Sequence, residues 1–261
     1  MWHIIRAALL LAPTIIWDYF AWILKYSKHP EKYPIEIRYS KTRKLIRSVN
    51  KKLKMDFVVE GKENIPNETA CYFVNHLGAV DPLLLFEVMD KPTAFVGKIE
   101  LQKTPFVGRI FKGANGLFLD RSDLKQQLKV MMKVQESLKN KECNWVIYPE
   151  GTRNKDPMNR LLEFHKGTFR PAVKSNSPIV PVVSYGSFRI LNMKHNYKKY
   201  PTYVKFLPPI YPEEYQGKTT DEIASIVQSR IQKEVSFTAK PLDHKRMSEL
   251  HDDYYRFNKV K

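Results

Sequence analysis

His76 and Asp81 are separated by four residues in the run Val74-Asn75-His76-Leu77-Gly78-Ala79-Val80-Asp81-Pro82. The run starts where an apolar strand is expected to end, and it finishes where Asp81 is placed to N-cap a helix with Pro82 in its first turn. A tight loop of this kind aims the carboxylate at one imidazole nitrogen. That fixes the tautomer and leaves the other nitrogen to take a proton from a substrate hydroxyl. The chemistry would be general base catalysis with no side-chain nucleophile. The spacing alone better suits an ordinary loop histidine and an aspartate that only caps its helix, so a second clue is required.

The run Trp145-Val146-Ile147-Tyr148-Pro149-Glu150-Gly151-Thr152-Arg153 supplies one, as an apolar strand ending in a Pro-Glu-Gly-Thr-Arg turn. Gly151 permits close backbone approach, Thr152 offers a hydroxyl and an N–H, and Arg153 carries a planar fork suited to phosphate. Open α/β sheets bind ligands at the carboxyl ends of their strands. Lys98 follows the expected strand Thr93 to Val96, and Arg121 follows Leu117 to Leu119. Four strand ends are thus expected to carry one basic pocket. The sequence holds no Gly-x-Ser-x-Gly, no Gly-x4-Gly-Lys-Ser/Thr and no Gly-x-Gly-x-x-Gly. Serine hydrolase, P-loop and dinucleotide readings therefore fall away, and the chemistry rests on His76.

The elements that must hold these residues follow from hydrophobic patterning. Short apolar runs at Phe57 to Val59, Ala70 to Val74, Thr93 to Val96, Leu117 to Leu119, Asn144 to Tyr148, Ile179 to Val183 and Tyr203 to Leu207 read as strands buried on both faces. Helical patterns lie between them, so the class is α/β: a single domain with a mostly buried central sheet flanked by helices. Ser122 is expected to N-cap a helix through Lys139 that buries Leu124, Leu128, Met131, Met132 and Leu138. Thr219 and Glu222 form a capping box for a helix over 220–235. The expected division is an N-terminal membrane-association segment over 1–55, a catalytic domain over 56–236 and a C-terminal helical tail over 237–261 carrying Leu242, Met247, Leu250, Tyr254 and Phe257.

The first segment is distinct. Ile4 to Leu24 is apolar except for Arg6, Pro13 and Asp18, and as a helix it matches the thickness of a bilayer core. The two charges and the proline oppose a span, whereas Trp2, Trp17, Tyr19 and Trp22 suit the headgroup layer. A monotopic anchor is therefore favoured. No small-x-small cleavage site follows, so the segment is expected to be retained. Residues 25–54 then hold eleven Lys or Arg against two Glu, out of a net charge of +17 for the 261 residues. Within them Leu45, Ile46, Val49 and Leu53 form the stripe of a basic amphipathic helix, which either presses on anionic headgroups or packs on the globular body. The charge bias puts the chain beyond Lys25 on the cytoplasmic face. Cys71 and Cys143 have neither disulfide nor zinc spacing, in keeping with a reducing compartment.

Asn75-His76-x4-Asp81, Gly113 to Arg121, Tyr148-Pro149-Glu150-Gly151-Thr152-Arg153 and Ile179-Val180-Pro181-Val182 resemble, in order and spacing, the four motifs of the glycerolipid acyltransferases. The match covers residues 56 to about 210 and is most similar to the bacterial lysophosphatidic acid acyltransferases. The resemblance implies His76 as general base, Asp81 as its orienting carboxylate, and Lys98, Arg121, Glu150, Gly151, Thr152 and Arg153 at the substrate phosphate. Phe164-His165-Lys166-Gly167 resembles a further stretch, expected to support these loops. Two residues depart from the pattern: Gly78 where relatives often carry Ser, and Tyr148 where Phe is common.

The implied reaction moves a fatty acyl chain from acyl carrier protein or coenzyme A thioester to lysophosphatidic acid, giving phosphatidic acid at an anionic membrane surface. Neither a metal nor an organic cofactor is implied. Glycerol 3-phosphate or another lysolipid is the alternative acceptor. A non-enzymatic basic module is the alternative class, with Phe188-Arg189 and Tyr197-Lys198-Lys199-Tyr200 as its aromatic and basic surface for lipid or nucleic acid. With the acyltransferase reading, nucleic acid is not an expected partner.

Overall fold

The computed structural model describes residues 2–155, 160–191 and 197–250. An N-terminal helix α1 (Trp2–Asp18) passes through a π-helical turn (Tyr19–Ile23) into α2 (Leu24–Lys28), and α3 (Ile35–Lys52) follows. The body then runs β1 (Met55–Glu60), β2 (Cys71–Val74), α4 (Asp81–Val88), β3 (Thr93–Lys98), α5 (Val107–Gly113), β4 (Leu117–Leu119), α6 (Leu124–Lys139), β5 (Asn144–Ile147), α7 (Arg170–Lys174), β6 (Ile179–Tyr185) and β7 (Tyr200–Phe206). It closes with α8 (Pro212–Tyr215), α9 (Thr220–Glu234), a π-helical turn (Val235–Ala239) and α10 (Lys240–Leu250). Tyr254 and Phe257 lie outside the described residues.

Each of the seven expected strands forms, in a single sheet of order β1-β7-β6-β2-β5-β3-β4. Strand pairs are parallel except β6 with β7, where Val182 lies opposite Phe206 and Tyr185 opposite Tyr203. The two-residue alternation of each strand feeds two cores. Cys71, Phe73, Trp145 and Ile147 pack with Val134 and Leu138 of α6, Ala172 of α7 and Ile223 and Val227 of α9. On the other face Tyr72, Val74, Phe95 and Val146 pack with Tyr39 and Ile46 of α3 and Leu84, Leu85 and Phe86 of α4. The parallel strands β6, β2, β5, β3 and β4 therefore release their carboxyl ends along one edge, with β2 at the centre of the sheet.

Two helical expectations are corrected. The N-cap of α6 is Asp123, whose side chain accepts from the Gln126 N–H, rather than Ser122, which bonds Asp120 instead. The buried face of α6 is Val130, Val134, Ser137 and Leu138, while Leu124, Leu128 and Met132 are exposed. The apolar band of this helix is wider than the strip that the sheet covers. Of the two readings of the α3 stripe, packing on the body is the one that forms: Leu45 and Ile46 are buried, as is Leu53 just beyond the helix. Arg43 donates to the Phe86 and Glu87 carbonyls at the end of α4, and Arg47 pairs with Glu87. Favourable charge at a helix C-terminus and apolar burial both tie α3 to the body. Helix α3, inside the expected 1–55 segment, thus packs as part of the core. The capping box of Thr219 and Glu222 forms on α9 as expected.

Ile4–Lys28 has the length and hydropathy to cross a membrane. One side of it is docked: Ala7 packs with Leu53, Val80, Ile190 and Tyr200, and Trp22, Ile23 and Tyr26 pack with Leu45. The opposite side leaves Leu9, Leu10, Ile16, Trp17 and Phe20 exposed.

Candidate active site

The central strand β2 delivers Asn75 and His76 to the carboxyl edge of the sheet. Asn75 is wholly buried, and its amide replaces a backbone pair: Oδ1 accepts from the Ser184 N–H and Nδ2 donates to the Ser184 carbonyl, both at 2.8 Å. The last residue before the histidine is thereby fastened to β6, which gives His76 a rigid base. His76 is left with a side chain 17% exposed beside an Asp81 side chain that is fully buried.

Nδ1 of His76 lies 2.7 Å from Oδ2 of Asp81, and the same oxygen accepts from the Leu77 N–H at 2.8 Å and the Gly78 N–H at 3.0 Å. Oδ1 accepts from the Ser187 hydroxyl. Asp81 occupies the first position of α4, not the N-cap, which is Val80. Its carboxylate turns back into the loop instead of capping the helix, which decides between the two readings of the spacing in favour of an oriented imidazole. An ionised carboxylate accepting these bonds keeps the proton on Nδ1 and leaves Nε2 as the basic nitrogen.

The second loop locks onto the first. Oε1 of Glu150 accepts from the His76 N–H at 2.6 Å and Oε2 from the Leu162 N–H at 2.9 Å, while the Asn154 N–H donates to the His76 carbonyl at 2.8 Å. Glu150 is 2% exposed. Burial raises its carboxyl above the ordinary value, and Asp81 adds to the rise, against the lowering by the two N–H donors and His76. The structure corrects the part expected of this side chain: both oxygens brace loops, and a buried carboxylate is no ligand for phosphate. Gly151 adopts φ +64°, and a Cβ there would stand 2.8 Å from the His165 ring. Only glycine suits both conditions. His165 in turn donates its N–H to the Pro149 carbonyl, and Phe164 is buried in the core, so the expected supporting stretch does hold this turn. Thr152 and Arg153 are exposed.

Tyr148 stacks on His76 with ring centroids 4.4 Å apart and planes at 29°. Its hydroxyl is buried with no hydrogen-bond partner among the described residues, and burial pushes it well above its ordinary pKa, with Asp81 adding to the rise.

Lys98 and Arg121 form a second cluster, one and two strands beyond β5. Lys98 Nζ lies 2.5 Å from Glu100 Oε1. The bond from Lys98 holds the Glu100 carboxyl below its ordinary value, and the fields of Lys98 and Arg121 reinforce it. Of the expected residues, the structure brings His76, Asp81 and Glu150 into direct contact and sets Gly151, Thr152 and Arg153 on the adjoining loop. It places Lys98 and Arg121 around Glu100 on the same sheet edge. Sequence reading missed Ser187, Asn75 as a clamp, and Glu100; the last was marked only by an acid lying two residues from Lys98. Among the described residues no three His, Cys, Asp or Glu side chains group as metal ligands.

Two residues expected on the surface of a non-enzymatic module are buried instead, while Lys198 and Lys199 are exposed. Arg189 is 5% exposed and Tyr200 fully buried, with the Arg189 guanidinium bound to Asp243.

Residues 56–185 match the family described as Acyltransferase. With the oriented histidine at the end of the central strand and the Glu-Gly-Thr-Arg loop braced against it, the chain belongs to this acyltransferase family. It is 30% identical over 169 residues to the 1-acyl-sn-glycerol-3-phosphate acyltransferase of Escherichia coli, covering 64% of this chain and 67% of that one. It is 29% identical over 220 residues to a Mycoplasma pneumoniae protein named a probable 1-acyl-sn-glycerol-3-phosphate acyltransferase, covering 79% and 81%. The crystal structure of the Thermotoga maritima 1-acyl-sn-glycerophosphate acyltransferase PlsC superposes with a TM-score of 0.67 at 26% identity, over 90% of this chain and 96% of that one.

Proposed function

We propose that this acyltransferase moves a fatty acyl group from a thioester of acyl carrier protein or coenzyme A to the 2-hydroxyl of 1-acylglycerol 3-phosphate, forming phosphatidic acid. Nε2 of His76 takes the hydroxyl proton as the oxygen attacks the thioester carbonyl. The tetrahedral intermediate then collapses with cleavage of the C–S bond, and the imidazolium returns the proton to the departing thiolate. Asp81 stabilises that imidazolium and keeps the ring aimed. The observation that carries this reading is the 2.7 Å contact of His76 and Asp81 at the mouth of the sheet, beside a loop whose backbone brace fixes both.

The acceptor phosphate is assigned to Arg153 and Thr152, with Gly151 allowing approach and Lys98 and Arg121 reaching in from strands roughly 10 and 14 Å from β2 at about 4.8 Å per strand. Helix α1 is assigned to the cytoplasmic surface of the membrane. Because Ala7 and Leu11 are buried on the body while Leu9, Ile16, Trp17 and Phe20 face outward, the helix is suited to lie in the interface with its outer side in lipid. A groove of about 690 Å³ beside α2 and α5, lined by Lys28, His29, Lys103, Arg109 and Lys112, adds positive potential at that level.

The test is product analysis by mass after incubating vesicle-bound protein with a long-chain acyl thioester and one of three acceptors: 1-acylglycerol 3-phosphate, 1-acylglycerol or glycerol 3-phosphate. Phosphatidic acid formed from the first alone is expected. Equal use of the dephosphorylated acceptor would overturn the phosphate assignment.

A further inference from the structure

Ser187 lies in a short 3-10 turn (Ser187–Arg189) directly after β6, is 1% exposed, and donates its hydroxyl proton to Oδ1 of Asp81. The other oxygen of that carboxylate already receives His76 and the Leu77 and Gly78 N–H groups. No other hydrogen bond to Oδ1 is present among the described residues. Without the serine, half of a fully buried anion would lack a donor, and a buried charged acceptor left unpaired reorients or takes a proton.

The same hydroxyl explains Gly78. A Cβ at residue 78 would stand 2.6 Å from Ser187 Oγ, 3.0 Å from the Ser187 carbonyl carbon and 3.1 Å from the Phe188 nitrogen. The first contact is with the end of the Ser187 side chain, held in place by its bond to Asp81, whereas the other two are with backbone and are tight by a few tenths of an ångström. Ser187 Oγ thus fills the space that a side chain at position 78 would take.

The turn that presents Ser187 is itself held. Gly186 adopts φ +92°, with its Cα face against the Pro201 carbonyl. Arg189 bonds Asp243 of α10 through both terminal nitrogens, Nη1 to Oδ2 at 2.9 Å, and its guanidinium lies 4.6 Å over the Phe188 ring.

We propose that Ser187 is a positioning residue for His76, acting through Asp81, and that Gly78 and Ser187 form an exchangeable pair: one hydroxyl, required beside Asp81, can be carried by either loop but not by both. This rests on the acyl-transfer reading for its kinetic consequence. The positioning itself is readable without turnover.

The experiment compares the parent with S187A, G78S and the double variant G78S/S187A, measuring kcat and KM for donor and acceptor together with thermal melting. S187A and G78S are each expected to lose about 10- to 100-fold in kcat, the scale of a misplaced catalytic group, with both KM values unchanged. The double variant is expected to recover most of that loss, because the hydroxyl that G78S introduces then has room to reach Oδ1. Parental kcat in S187A, or a double variant no better than S187A at equal melting temperature, would overturn the proposal. Should S187A fail to fold, S187C keeps the volume with a weaker donor. A fall in its kcat is then expected, and parental kcat would overturn the proposal. A parent that forms no acyl product would bring down the reaction reading alone. In that case ¹⁵N-histidine spectra, with His76 assigned from H76A, carry the test. The parent is expected to show a single Nδ1–H tautomer and S187A an exchanging pair, whereas identical His76 signals would contradict the positioning role.

Discussion

Tyr148 presents the plainest single-residue consequence. Its ring stacks on His76 while its buried hydroxyl bonds nothing among the described residues, so the oxygen is a cost without a return. Tyr148→Phe should keep the stack and the turnover and raise stability by about 1 kcal/mol in urea unfolding; a loss of kcat would show that the hydroxyl serves the reaction. Glu150 behaves oppositely. Each of its oxygens accepts one N–H, so Glu150→Gln turns an amide N–H₂ toward a donor and should cost about 1–3 kcal/mol at neutral pH. Its folded pKa is raised by burial, so between the ordinary carboxylate range and that raised value the folded chain holds the extra proton. Stability from this group is present at low pH and falls as pH rises through the folded value. The stability of the parent minus that of E150Q should decline with pH across that interval, and a rising difference would contradict the account. Glu100 holds Lys98 in the free protein. Glu100→Gln should therefore lower the KM for the phosphate-bearing acceptor, by no more than about fivefold for so exposed a pair, and leave the donor KM alone.

At the scale of elements, the N-terminal helix is asymmetric in a way that separates anchoring from folding. Ala7, Leu11, Trp22 and Ile23 are buried on the body, so removing the whole segment would uncover Leu45 and Leu53 and mix two effects. Leu9, Ile16 and Phe20 touch no core. L9K/I16K/F20K should keep the parental melting temperature while losing sedimentation with anionic vesicles, by an amount set by about 1.5–3 kcal/mol for each large apolar side chain withdrawn from lipid. Unchanged sedimentation would remove α1 from the membrane. Helix α3 makes the contrasting case: its charges are many, yet its apolar stripe is buried against the N-terminal helix and the core, and Arg43 and Arg47 bind α4.

Across the whole molecule, the strands were readable because a strand covered on both faces is a short unbroken apolar run, and the one short helix with a similar run, α4, is marked by Pro82 in its first turn. The direction of β7 was not readable, since composition carries no record of whether a strand pairs parallel or antiparallel. Helix α6 was misread because periodicity marks an apolar band but not how much of it a neighbour covers, so Leu124, Leu128 and Met132 stay outside. His76 and Asp81 were legible as a pair because their loop is local, and the Glu-Gly-Thr-Arg turn because it ends a strand. Ser187 was not, being 106 residues away in sequence from the carboxylate it serves. Its significance emerges only where β6 ends beside β2. The whole arrangement converges on one imidazole at the carboxyl edge of the sheet. The most direct measurement is thiol release from a long-chain acyl thioester by vesicle-bound parent and His76→Ala proteins, with and without 1-acylglycerol 3-phosphate. Acceptor-dependent release and phosphatidic acid are expected from the parent and neither from the folded, vesicle-bound variant. Comparable release and product from His76→Ala would contradict His76 as the base.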